Sequence, residues 1–74
     1  MKEALAKRIK KLELLKNTSF YLVADRGGFS RSYASEILKG NANPSLLVLA
    51  KISRGWEISL QDLFNDELFS EIYE

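Results

Sequence analysis

Apolar residues recur along this chain at spacings of three and four, and no alternating run between turn residues is long enough to make a strand. Over residues 2–16, Leu5, Ile9 and Leu12 share one face. Lys7, Arg8, Lys10 and Lys11 fall mostly on the others, so the pattern predicts a helix with a core-facing stripe and a wet basic back. Asn17-Thr18-Ser19 breaks the pattern and offers caps for a second helix over residues 20–26, with Val23 and Ala24 as its expected buried pair. Phe20, Tyr21 and Leu22 make this helix unusually apolar, so some apolar side chain should stay partly exposed. Gly27-Gly28 supplies a tight turn, and Phe29 anchors it. A third helix is expected from a Ser30 cap to a Gly40 stop. In it only Ala34 and Ile37, with Leu38 beside them, face inward. Arg31, Ser32, Ser35 and Glu36 point outward, with Tyr33 at the edge. So thin an apolar stripe contributes little to a core, which leaves the outer face for another use.

Asn41-Ala42-Asn43-Pro44 reads as a polar loop. Pro44 suits either the first position of a fourth helix, with Asn43 as cap, or the place just before a cap at Ser45. That helix should run over residues 45–54, with Leu46, Leu49, Ile52 and either Leu47 or Val48 inward. Trp56 and Ile58 read as core plugs between helices. Ser59-Leu-Gln-Asp62 has the form of a capping box, with aspartate where Glu or Gln is usual, and opens a fifth helix with Leu60, Leu63 and Phe64 inward. The expectation is a compact all-α domain of five helices over residues 1–64, with an extension over 65–74. Leu68, Phe69, Ile72 and Tyr73 lie on one face of that extension, which reads either as a frayed terminus or as a piece of dimer interface.

Composition narrows the function. Seventy-four residues allow one small domain. With no cysteine and no histidine, neither a disulfide nor a zinc site is expected. Without those residues, a phosphate-cradling glycine motif or a paired-carboxylate site, the chain does not read as an enzyme, and no cofactor or small-molecule ligand is expected. No apolar run approaches a membrane span and no signal-peptide core is present, so a cytoplasmic protein is expected. The net charge of +1 is polarised: residues 1–39 hold nine Lys or Arg against four acids, and residues 40–74 hold two against six. That split fits an anionic partner for the first half, with solvated helix faces as the plainer explanation.

Laid out this way, the chain resembles the Cro and phage-repressor type of helix-turn-helix domain, the lambda-repressor-like fold. The resemblance runs through Val23-Ala24, Gly28-Phe29-Ser30, Arg31-Ser-Tyr-Ala-Ser-Glu-Ile37, Gly40, Asn43-Pro44-Ser45-Leu46, Leu49-Ala-Lys-Ile52 and Ile58-Ser-Leu-Gln-Asp-Leu-Phe64. Each piece is common; their order and spacing together are specific. The stretch from Arg31 to Ile37 is similar to the recognition helix of small stand-alone regulators such as restriction-modification controllers. The chain departs from the family in three places. Phe20 stands where a phosphate-contacting Gln is frequent. Glu13 stands where Arg is frequent, and Leu38 where that Arg's Glu partner sits. A lone buried Glu13 would be costly, so Glu13 is expected exposed or paired with Lys10 or Lys16.

The resemblance implies a helix-turn-helix over about residues 19–40 that binds a palindromic operator as a homodimer and represses or activates transcription. It places the first turn of the third helix against base edges. Arg31 would read guanine through its O6 and N7 acceptors, and Ser32, Ser35 and Glu36 are the further base-contact candidates. Backbone contacts would come from Tyr33, Lys39, Asn41 and Asn43, and from Thr18 and Ser19 with the free N–H groups of the second helix. Lys16 and Arg26 fit either phosphate contact or plain surface charge. Dimer contacts would come from Trp56, Phe64, Leu68, Phe69, Ile72 and Tyr73, with core packing as the competing role of Trp56 and Phe64. The rival function is a helix-turn-helix domain that contacts protein instead of DNA, with Phe20, Tyr21 and Leu22 as its adhesive surface.

Overall fold

A computed structural model describes residues 1–70 with their side chains and the backbone of residues 71–72. Among the described residues every regular element is helical: α1 (Lys2–Lys16), α2 (Phe20–Gly27), α3 (Arg31–Leu38), α4 (Leu46–Gly55), α5 (Leu60–Leu63) and a terminal 3₁₀ turn (Glu67–Ile72). The starts follow from local chemistry. Ser19, Ser30, Ser45 and Ser59 each adopt extended backbone and accept a first-turn N–H through the side-chain oxygen, from Tyr21, Tyr33, Val48 and Asp62 respectively. Pro44 therefore precedes the Ser45 cap and does not open the helix.

The ends share one device. After each of the first four helices a residue turns left-handed: Asn17, Gly28, Gly40 and Glu57, with φ of 49°, 77°, 77° and 58°. At Gly40 the motif is complete, since its N–H donates to the Ile37 carbonyl at 3.0 Å and the Asn41 N–H reaches back to Glu36 at 3.0 Å. This fixes the direction in which the chain leaves α3.

One core joins the elements. Leu5, Ile9 and Leu12 of α1, Phe20, Val23 and Ala24 of α2, Ala34 and Ile37 of α3, Leu49 and Ile52 of α4, Trp56 and Leu63 are all buried in it. The α2–α4 crossing is close enough to demand glycine: a Cβ on Gly55 would lie 2.6 Å from Cγ1 of Val23, a stiff, fully buried branch. The Cα radius of gyration, 11.2 Å, is close to what a globule of this length should have (about 11 Å).

Several expectations change here. Leu46 and Leu47 were expected inward or partly so, yet they are 71% and 65% exposed. The run Leu46-Leu47-Val48-Leu49 is apolar without interruption, so its sequence has no phase, and packing buries only its last member. The back of α1 is not uniformly wet. Arg8 reaches across to the end of α5, where Nε and Nη2 each donate at 2.9 Å to the carbonyls of Leu63 and Asp62. Its Nη1 lies 3.5 Å from Asp66 and Lys11 lies 3.1 Å from the same carboxylate. A cation against the last carbonyls of a helix opposes its dipole favourably. The Leu68 backbone N–H, then Lys11, hold the Asp66 carboxyl below the ordinary aspartate value.

The same clamp explains the tail. Phe69 is 1% exposed, with its ring edge-on to Phe64 at 5.0 Å, so the extension is docked, not frayed, as far as Phe69. Trp56, 4% exposed, stacks on Phe20 at 5.6 Å. Trp56 and Phe69 are thus core residues of the single chain and have no free face for a dimer. Phe64 and Leu68 are half-buried; the side chains of Ile72 and Tyr73 lie outside the described residues.

Candidate nucleic-acid interface

The outer face of α3 carries the chemistry the sequence placed there. Arg31 and Ser32 in the first turn and Glu36 one turn on are exposed, while Ser35 is half-buried. Tyr33 is half-buried because its ring meets Phe29 edge-on at 6.1 Å, and Phe29 in turn lies 5.9 Å from Phe20. The exposed face is therefore braced from beneath by an aromatic relay into the core. A helix of eight residues that buries only Ala34 and Ile37 is held as a rigid platform, with its N-terminal turn accessible.

Beyond α3, Lys39, Asn41 and Asn43 are all exposed. Asn41 Nδ2 donates to the Glu36 carboxylate at 3.2 Å, which ties the loop to the helix and occupies one oxygen of Glu36. Arg26 is exposed and spends one N–H on the Gly55 carbonyl at 3.3 Å.

The start of α2 differs from expectation. Glu13 pairs with no lysine; its Oε2 accepts the Phe20 backbone N–H at 2.7 Å. The Tyr21 N–H goes to Ser19 Oγ at 3.1 Å, and the Leu22 N–H to the Ser19 carbonyl at 3.1 Å. Thr18 turns its hydroxyl to the Lys16 carbonyl at 2.9 Å. The Thr18 hydroxyl and the Phe20, Tyr21 and Leu22 N–H groups are thus already engaged, and the Glu13 carboxylate supplies negative charge that the helix dipole favours. The Phe20 side chain, fully buried, is likewise not available as an adhesive surface; of its neighbours, Leu22 is 43% exposed and Tyr21 is half-buried.

Asp25 of α2 was not among the sequence candidates. It meets Arg31 side-on: Nη2 donates at 2.9 Å and Nε at 3.4 Å, one to each carboxylate oxygen. These hydrogen bonds hold the Asp25 carboxyl below its ordinary value and raise the Arg31 guanidinium further. The only sequence signal was an acid six residues before the arginine, across a glycine turn.

Two helices of eight residues, joined at Gly28 and standing with the second one's polar turn outward, match a family model for helix-turn-helix proteins over residues 7–63. The chain belongs to the helix-turn-helix family of Cro and phage repressors. No curated protein and no solved structure gives a match. Membership makes the helix-turn-helix domain a DNA-binding transcriptional regulator. Within it, α2 and α3 are the motif's two helices, and α1, α4 and α5 are the scaffold that sets their angle. No helix among the described residues is long and apolar enough to cross a membrane.

Proposed function

We propose that the protein is a sequence-specific regulator that sets α3 into the major groove of operator DNA and binds a palindromic site as a homodimer. The observation that carries this reading is the division of α3: Ala34 and Ile37 lock it to the core, and Arg31 and Ser32 stand exposed at its leading turn. Arg31 reads guanine, since a guanidinium matches the O6 and N7 acceptors, and Ser32 contacts the neighbouring base. Ser35 and Glu36 lie deeper along the groove. Tyr33, Lys39, Asn41 and Asn43 grip the phosphates and set register. Because Glu13 occupies the start of α2, Lys39 and the polar loop after α3 carry more of the backbone grip than Thr18 and Ser19 do.

A domain of 34 × 23 × 22 Å covers few base pairs, so two copies on a twofold site fit best, with half-site centres about 34–36 Å apart. Phe64 and Leu68, of the sequence candidates, still border the surface. Exposed Leu46 and half-buried Leu60 line a surface depression with Phe64 and add apolar area there.

A salt titration on random-sequence duplex tests the DNA reading. Affinity is expected to fall steeply, with a log–log slope of about −0.9 per phosphate neutralised. A flat or absent response would favour a protein-contact module instead.

A further inference from the structure

Resting on that reading of Arg31, we propose that Asp25 is a positioning residue for sequence specificity: it clamps the Arg31 guanidinium so that only its far edge is offered to a base.

The hydrogen-bond geometry selects which protons remain. A guanidinium carries five N–H donors in a rigid plane. Asp25 takes the side-on pair, Nε–H and one proton of Nη2, through its two oxygens. The end-on pair, one proton each from Nη1 and Nη2, stays free and parallel. That pair matches the O6 and N7 acceptors of guanine. Clamp and base therefore use different edges of one plane and do not compete.

Stability does not account for the contact. The two side chains are 68% and 47% exposed, and ion pairs this open contribute little to folding. Specificity gains in two ways. The arginine's rotamer freedom is already reduced before DNA arrives, so less entropy is lost on reading a base. The carboxylate also offsets the arginine's charge, which weakens its pull toward phosphates, contacts that carry no sequence information. Asp25 and Arg31 sit on the two helices of the motif, so the orientation of the guanidinium is set by the α2–α3 turn at Gly28 and not by the α3 backbone alone.

The test is selection of bound duplexes from a random pool by the full chain and by Asp25→Asn, Arg31→Ala and the double variant. Arg31→Ala identifies which guanine position Arg31 reads, as the one whose preference disappears. Asp25→Asn is expected to weaken preference at that same position roughly 2- to 10-fold, the effect of freeing one long side chain. It should also tighten binding to random duplex, because a negative charge has gone. In the Arg31→Ala background it should change base preference nowhere. Thermal unfolding of each variant confirms that the fold is intact, as expected for exposed positions. Undiminished guanine preference in Asp25→Asn, or an equal loss with and without Arg31, overturns the clamp and leaves the Arg31 reading standing. Full guanine preference in Arg31→Ala, or no enrichment by the natural chain, overturns the reading itself and the clamp with it.

Discussion

Replacing Phe20 with alanine is expected to cost about 3–5 kcal/mol of folding stability. Phe20 is fully buried and makes two aromatic contacts, with Trp56 at 5.6 Å and with Phe29 at 5.9 Å, and Phe29 in turn meets the Tyr33 ring beneath the candidate DNA face. A domain of this length has roughly 4–11 kcal/mol in total, from about 0.05–0.15 kcal/mol per residue. One truncation would therefore take a large share of it. Equilibrium denaturation measures the loss directly. A cost below about 0.5 kcal/mol, the range of surface positions, would mean that Phe20 lies on the surface, as the adhesive-patch reading requires.

The second large effect is expected at Arg31. Alanine there should remove about 1–3 kcal/mol of binding to a selected duplex, the discrimination a bidentate arginine–guanine contact supplies. On random duplex the loss should be much smaller, because the phosphate contacts proposed at Lys39, Asn41 and Asn43 are separate from it. Titrations on both duplexes give the two numbers. Equal losses on the two would move Arg31 from base reading to general electrostatic attraction.

What the sequence disclosed divides along a physical line. Helix positions were legible because their signals are local. Ser19, Ser30, Ser45 and Ser59 cap in place, Gly28 and Gly40 turn left-handed where a side chain would be strained, and the stripe Leu5, Ile9, Leu12 has a clear period. Both α1 and the outward set on α3 were readable from such patterns alone. What was missed depends on distance along the chain. Arg8 closes the end of α5 from more than fifty positions away, and no local rule links them. Phe69 is buried against Phe64 beside Asp66, whose carboxylate Arg8 and Lys11 meet from the other end of the chain. Glu13 looked like a misplaced charge until α1 and α2 met at an angle that set its carboxylate on the Phe20 N–H.

Glu57 is the one left-handed position that ran against local preference, since glycine or asparagine is usual there. The turn is nonetheless closed, with the Ile58 N–H reaching the Ser53 carbonyl at 2.9 Å. A well-formed turn thus followed a residue that gave no signal for it. Asp25 shows the same limit at the site itself: its partner was named from the sequence and it was not, because the pairing depends on the angle between α2 and α3.

The central claim is that the outer face of α3, with the loop that follows it, is the surface that meets DNA. Backbone amide shifts of the folded protein, recorded as duplex DNA is added, test it most directly. The expected result is a contiguous set of changes over residues 31–36 and 39–43, lost at high salt, with the amides of exposed Leu14 and Leu15 at the end of α1 unmoved. Changes centred elsewhere, with residues 31–36 silent, would contradict it.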